Sequence, residues 1–338
     1  MASRFLSFGN HLHTGELSFD FIAKRRYWFI IAGVMMVASV IIPIVLGGFN
    51  FGIEFRGGSQ FAISNVENPS QDIATDAVAE IVPETVTRVT IVGEDGVRVQ
   101  TDQLTDDETK AVAAALASGY NVPESEVTTS FIGPTWGADV SRQAIQGLIA
   151  FLAFAIIAMA LYFRTWKMSL AAILALVHDL VVTAGVYALT GFEVTPATMI
   201  GFLTILAYSL YDTVVVFDKI KENTHEDEGG TQRTFAQSVN LAVNQTLVRS
   251  INTGVVAALP VGTILFVGAF VLGADTLRDI SLALLIGILI GTYSTIYIAS
   301  PLYAMFRQNE PAIRKNDARA LAAQASGIAA PGVPTAAG

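Results

Sequence analysis

Gly201-Phe-Leu-Thr-Ile-Leu-Ala-Tyr-Ser-Leu-Tyr-Asp212-Thr-Val-Val-Val-Phe-Asp218-Lys-Ile-Lys-Glu222 is the stretch from which the architecture of this chain is read. From Ala197 to Phe217 the run is apolar and long enough to cross a bilayer, with one acid, Asp212, inside it. An ionised carboxylate at such a place costs at least ~2.5 kcal/mol on insertion scales, so a carboxylate kept there points to a role. Asp218 stands where the charged stretch Lys219 to Glu222 begins. At ~100° per residue the two acids fall on different helix faces and are expected to do different jobs.

The rest of the composition agrees with a membrane setting. Of 338 residues, 52% are hydrophobic and 14% charged, more apolar than a soluble core of this size needs. There is no cysteine, which excludes disulfides and thiolate metal sites, and four scattered histidines make no zinc pattern. The net charge of -9 is concentrated between Asn50 and Val140, where fifteen Asp and Glu face four Lys and Arg, so nucleic acid is not expected as a partner. No Walker loop, Rossmann glycine fingerprint or nucleophile motif is present, and the chain is expected to be no enzyme and to hold no cofactor.

Six windows match the ~30 Å hydrocarbon layer: 27–47, 144–163, 169–190, 197–217, 250–271 and 280–304. The first is too long for a signal-peptide core and no small-residue cleavage site follows Gly48. Lys24 to Arg26, Arg164, Lys167, Lys219, Lys221 and Arg307 lie at one set of span ends, so both termini are expected in the cytoplasm. The acidic segment then lies outside, with the turns Gly191–Pro196, carrying Glu193, and Gly273–Leu277, carrying Asp275.

In that outer segment, extended runs at Gln60–Val66, Val86–Val92, Val97–Thr101 and Val127–Ile132 alternate with helical patterns at Asp72–Ile81 and Thr105–Ser118. Gly93 to Gly96 reads as a hairpin turn, and Thr105 with Glu108 as a capping box. The order β-α-β-β-α-β is that of the ferredoxin-like split unit. The expected fold is a polytopic α-helical membrane protein with six transmembrane helices and a small α+β ferredoxin-like extracytoplasmic domain between helices 1 and 2. Its parts are a cytoplasmic segment 1–26, helix 1 at 27–47, the domain at 48–142, helices 2 to 6 within 143–305, and a cytoplasmic tail at 306–338. Beyond Asn316 the tail is rich in Ala, Gly and Pro and is expected to be largely disordered.

Arg249, in Gln245-Thr-Leu-Val-Arg249-Ser-Ile-Asn252-Thr253, enters the fifth span at a depth similar to that of Asp212. An arginine near that acid favours its ionised form and apolar surroundings the protonated one, which is what a proton relay requires. Asn252 and Thr253 follow Arg249 on one helix face as supporting polar groups. Asp179, in His178-Asp179, lies about midway along the third span as a further acid, whereas Asp218 reads as a topology and interfacial capping residue. The bland alternatives are a static Asp212–Arg249 ion pair and an Arg249 that snorkels to the interface. Gly287 and Gly291 form a common small-xxx-small pattern, and Pro260 invites a kink.

Phe51-Gly-Ile-Glu-Phe-Arg-Gly-Gly58, His178-Asp179, the stretch Tyr208 to Asn223 and Gln245 to Ser250 occur in one order between about Lys24 and Arg307. Together they resemble the SecF family, the smaller half of the bacterial SecDF protein-export factor, in the resistance-nodulation-division superfamily. The resemblance implies a proton-motive-force-driven accessory to late export of polypeptides, with the transmembrane proton gradient as energy source. It implies SecD as heterodimer partner, the SecYEG channel, SecA and YajC as associates, a translocating polypeptide as substrate, and a place among the lipids of the bacterial cytoplasmic membrane. It places Asp212 and Arg249 in proton passage, and Gly52, Glu54, Gly57 and Gly58 in a family motif; Asp179 is read beside them as a supporting acid of the relay, its alternative being a helix-packing hydrogen bond. Tyr211 stands where the family has Asn, Glu54 where it has Asp, and Lys219 and Lys221 where it has Arg. A non-transporting scaffold for SecD or the channel, and a small-molecule efflux relative, remain alternative readings.

Overall fold

The structure is a computed structural model that describes residues 17–93, 95–226, 233–268 and 275–326, the side chains of Pro134, His225, Glu226 and Asp275 excepted. Among these residues six helical spans are long and apolar enough to cross a membrane. They begin with α1 (Arg25–Val45), which ends where Gly47 and Gly48 turn the backbone to positive φ.

Between α1 and the second span the chain forms β1 (Asn50–Phe51), the single turn α2 (Ile53–Arg56), β2 (Gly58–Ile63), α3 (Gln71–Ile81), β3 (Arg88–Val92), β4 (Gly96–Thr101), α4 (Asp106–Gly119) and β5 (Val127–Ile132). The four longer strands form an antiparallel sheet in the order β3-β4-β2-β5. Each helix therefore carries the chain over a strand that lies between the two it joins. One face of the sheet, with Phe61, Ile63, Val97 and Val99, packs against Val78 of α3 and Val112 and Leu116 of α4. The period-2 alternation of the strands places these residues together. The Thr105–Glu108 capping box forms at the start of α4, with reciprocal bonds of 3.3 and 2.8 Å. The opposite face is polar, and Gln60 and Gln100 bond across it at 3.0 Å.

The remaining membrane elements are α5 (Pro134–Phe163), α6 (Trp166–Thr190), β6 (Glu193–Val194), α7 (Pro196–Glu226), α8 (Phe235–Phe266), α9 (Asp275–Ser294) and α10 (Ser300–Arg307). The turn expected at Gly191–Pro196 is more than a turn, because β6 pairs in parallel with β1 and ties the entry of the domain to the bundle. Two helices begin well ahead of the apolar windows that announce them. The start of α5 runs beneath α2, where a Cβ at Gly137 would press on the Phe55 carbonyl, and α8 starts fifteen residues before the expected Ser250. A helix that continues into polar sequence leaves no hydropathy signal.

Burial divides the spans into two groups. About half of each apolar window in α6, α7 and the last span is buried, at 56, 50 and 56%, against 11, 11 and 17% in α1, α5 and α8. Packing of the inner three relies on small residues: a Cβ at Gly287 of α9 would collide with Ile205 of α7, and Gly291 lies against Ser209. Between α9 and α10 the last span opens into a π-helical segment, Thr295–Ala299. Pro301 lacks the N–H that a regular helix would use there, and the Ser300 hydroxyl donates to the Thr295 carbonyl at 3.2 Å.

The tail departs from the expected disorder. Residues 311–325 form α11 (Pro311–Ala325), in which Ala, the strongest helix former, follows Pro311 at the first position. Ile313 and Ala320 are buried, and Asp317 accepts the Phe235 N–H at 2.7 Å at the start of α8. The Ala, Gly and Pro composition that argued against a packed core is thus compatible with one docked helix. Residues 327–338 and 1–16 lie outside the described residues, as do Gly273 and Ala274 of the expected outer turn.

Candidate functional site

The inner face of α7 carries Ser209, Asp212 and Thr213 at helical spacing, and all three are buried. Each meets a hydroxyl or carboxylate on a different neighbour. Ser209 Oγ donates to Asp179 Oδ2 of α6 at 2.5 Å, and Thr213 and Thr295 share a 3.0 Å hydrogen bond at the π-helical segment. Ser250 Oγ of α8 donates to Asp212 Oδ1 at 3.1 Å. Asp212 Oδ2 is buried and has no hydrogen-bond partner among the described residues. The result is a polar seam through the centre of the inner helices, with two carboxylates and their hydroxyl donors enclosed by apolar packing.

Asp179, 1% exposed, lies within this seam as its position in the third span implies, and its Oδ1 is 3.3 Å from Nδ1 of His178. The His178 Nε2 is buried without a partner, and its ring lies 6.3 Å from that of Tyr293 on the last span. Arg249 does not join Asp212. Its side chain is exposed and makes no ion pair among the described residues, although it is near enough to act on the acid through space. The next residue along the helix, Ser250, is the one that faces the acid. Asn252 is exposed, and the Thr253 hydroxyl is spent on the Arg249 carbonyl at 2.8 Å, so neither supports Asp212. Tyr211 is exposed on the far side of α7 and leaves the bonds of Asp212 untouched. Asp218, at the end of the span, accepts from the Tyr162 hydroxyl of α5 at 2.7 Å.

The Gly52 to Gly58 motif builds a different place, the joint between domain and bundle. Gly57 and Gly58 both have positive φ, and a Cβ at Gly58 would strike the Thr101 carbonyl. Gly52 leaves room for the Glu54 carboxylate, which folds back over it beside Thr195. Across this joint Arg98 Nη1 of β4 pairs with Glu193 Oε2 of β6 at 3.0 Å, with side chains 5 and 16% exposed. Asp279 of α9 accepts from Thr195 at 3.0 Å and from Arg278. Burial pushes the Glu54 carboxyl above its ordinary range; its own backbone N–H and Arg98 oppose this, while Glu193 and Asp279 add to it. Burial likewise lowers Arg98, against the pull of Glu193.

Sequence reasoning missed Ser209, Ser250, Thr213 and Thr295. Serine and threonine are ordinary in membrane helices; Ser209 stands three residues before Asp212, Thr213 directly after it and Ser250 directly after Arg249, while Thr295 has no charged residue within four positions. No group of metal-ligating side chains is present among the described residues.

Comparison with known proteins covers both places. The family described as "Protein export membrane protein SecD/SecF, C-terminal" matches residues 112–309, and the "SecD/SecF GG Motif" matches residues 44–64. Protein translocase subunit SecF of Streptomyces coelicolor is 41% identical over 328 residues, which is 97% of this chain and 87% of that protein. Its counterpart in Mycobacterium tuberculosis is 40% identical over 331 residues, 95% of this chain and 74% of that one. Among solved structures, the crystal structure of SecDF, a translocon-associated membrane protein, from Thermus thermophilus aligns with a TM-score of 0.76 at 28% identity. That alignment covers 87% of this chain and 39% of the other.

Proposed function

The chain belongs to the SecD/SecF family of protein export membrane proteins, and from that premise we propose that it uses a transmembrane proton gradient to drive late export of polypeptides, with Asp212 as proton-binding group. It is an accessory subunit of Sec-pathway protein translocation and a multi-pass protein of the bacterial cell membrane. The observation that carries the proton reading is the Asp212 carboxylate, enclosed within the bundle with one oxygen bonded to Ser250 and the other buried without a hydrogen-bond partner among the described residues. A carboxylate so placed keeps one oxygen uncommitted on which a proton can reside, and the absence of an Asp212–Arg249 pair among the described residues weighs against a static ion pair.

The SecD/SecF assembly supplies the second half. SecDF of Thermus thermophilus and of Bacillus subtilis match this chain over 39 and 40% of their length, so each holds a further, longer part. In our reading a separate SecD chain takes that place, and the exposed apolar faces of α1, α5 and α8 meet SecD or lipid. SecYEG, SecA, YajC and the moving polypeptide are the wider partners, both termini face the cytoplasm as the Lys and Arg at span ends suggest, and no cofactor or catalysis is needed. The domain is then extracytoplasmic and ferredoxin-like, a reading supported by the strand order β3-β4-β2-β5 with two crossing helices.

The test is reconstitution with SecD in vesicles. Asp212→Asn should abolish gradient-driven proton flux and proton-dependent export while the complex assembles in native amount. Native flux and export in the variant would remove Asp212 from the proton path, and a loss of assembly instead would favour the scaffold, in which the bonds of Asp179 and Asp212 only pack helices.

A further inference from the structure

We propose that Ser209 is the positioning residue that joins Asp179 to the Asp212 helix, making the two carboxylates members of one proton-handling site. The inference rests on the proton-coupled reading above and extends it to a residue and an acid on another helix. Ser209 is 1% exposed and donates to Asp179 Oδ2 at 2.5 Å. It precedes Asp212 by three residues, so one face of α7 presents a hydroxyl to α6 and a carboxylate to Ser250 of α8. Any rotation or slide of α7 that changes the Asp212–Ser250 contact must also act on the Ser209–Asp179 contact, because both ride on the same rigid helix. A short hydrogen bond between a hydroxyl and a carboxyl group fixes the orientation of both.

The surroundings of Asp179 leave Ser209 as the donor from a neighbouring helix. His178 of its own helix reaches Oδ1 at 3.3 Å, and Asp212 lies one turn from Ser209 on α7. On the last span Tyr293 lies beside the His178 ring, and Gly291 faces Ser209 with a backbone whose Cβ would come 3.7 Å from Asp179 Oδ2. Arg249 of α8 points outward, and no lysine or arginine pairs with Asp179 among the described residues. The glycine at 291 is what lets α7 come close enough for the bond.

The experiment uses the complete chain assembled with SecD in vesicles, with polypeptide substrate present, and reads two quantities across pH. One is proton flux. The other is modification of Asp179 by a hydrophobic carbodiimide, which labels protonated carboxyls and is followed by peptide mass spectrometry whether or not flux occurs. Ser209→Ala should lower flux about tenfold and change the pH profile of Asp179 labelling. A purely structural role would lower yield without changing that profile. Native flux and an unchanged labelling profile in Ser209→Ala, with flux lost in Asp212→Asn, would overturn this inference and leave the proton reading standing. No flux in the native complex would overturn both.

Discussion

Glu54 shows how a single residue can be legible in kind and illegible in detail. Its motif was read from the glycines around it, but its environment depends on Glu193 and Asp279, which come from distant sequence. Burial raises its carboxyl, so the folded chain favours the neutral form. The stability this contributes is fully present below the ordinary value of 4.5 and is lost as pH rises through the raised folded value. Glu54→Gln stays neutral and removes that dependence. Between about pH 5 and about pH 8 the native chain should lose more of its thermal midpoint than the variant does, and parallel slopes would refute the assignment. The same division applies to the seam. Asp212 was legible because an acid in an apolar span has few innocent explanations. Ser250 was not, since hydropathy gives the depth of a residue but not its bearing round the helix, and the arginine beside it drew attention by its charge.

At the scale of elements, the sequence signals were strongest where composition changes sharply. Helix α1 ends just before Gly47 and Gly48, the capping box of α4 forms from Thr105 and Glu108, and β5 occupies Val127–Ile132, the extended run expected there. The early starts of α5 and α8, and helix α11, were not legible because a helix that leaves the bilayer keeps its hydrogen bonds without an apolar signature. Packing between elements was less legible still. The Gly287–Gly291 pattern is common, and only the folded chain places it against Ile205 and Ser209. Gly287→Val should therefore force α7 and α9 apart, costing about 1–3 kcal/mol as overpacking does. Gly147→Val on α5, where a Cβ meets nothing, is the control. Thermal unfolding in detergent should show the loss in the first variant alone, and equal midpoints would mean that the two helices do not need this close approach.

For the molecule as a whole, the question is how a polar domain is held on an apolar bundle. Among the devices that cross the joint are the β1–β6 pairing, the Gly52 N–H donated to the Val194 carbonyl at 3.0 Å, and the Arg98–Glu193 pair. The first two are backbone bonds that tolerate small side-chain changes. The ion pair is different, because its partners are nearly buried and two further acids, Glu54 and Asp279, lie in the same electrostatic neighbourhood. Arg98→Met takes away the cation and leaves Glu193 without this partner in a crowded acidic site, a change that typically costs about 3–5 kcal/mol. Glu193→Gln in the same chain removes the charge left behind, and replacing both partners of a buried pair is commonly near neutral. The double variant should thus be more stable than Arg98→Met alone, by about 1–3 kcal/mol of coupling. Protease cleavage within residues 58–132 of the assembled protein reads the same joint, rising in Arg98→Met and falling back in the double variant. Additive losses in both measurements would mean that the domain is held by its backbone pairing and that the charges merely lie beside it.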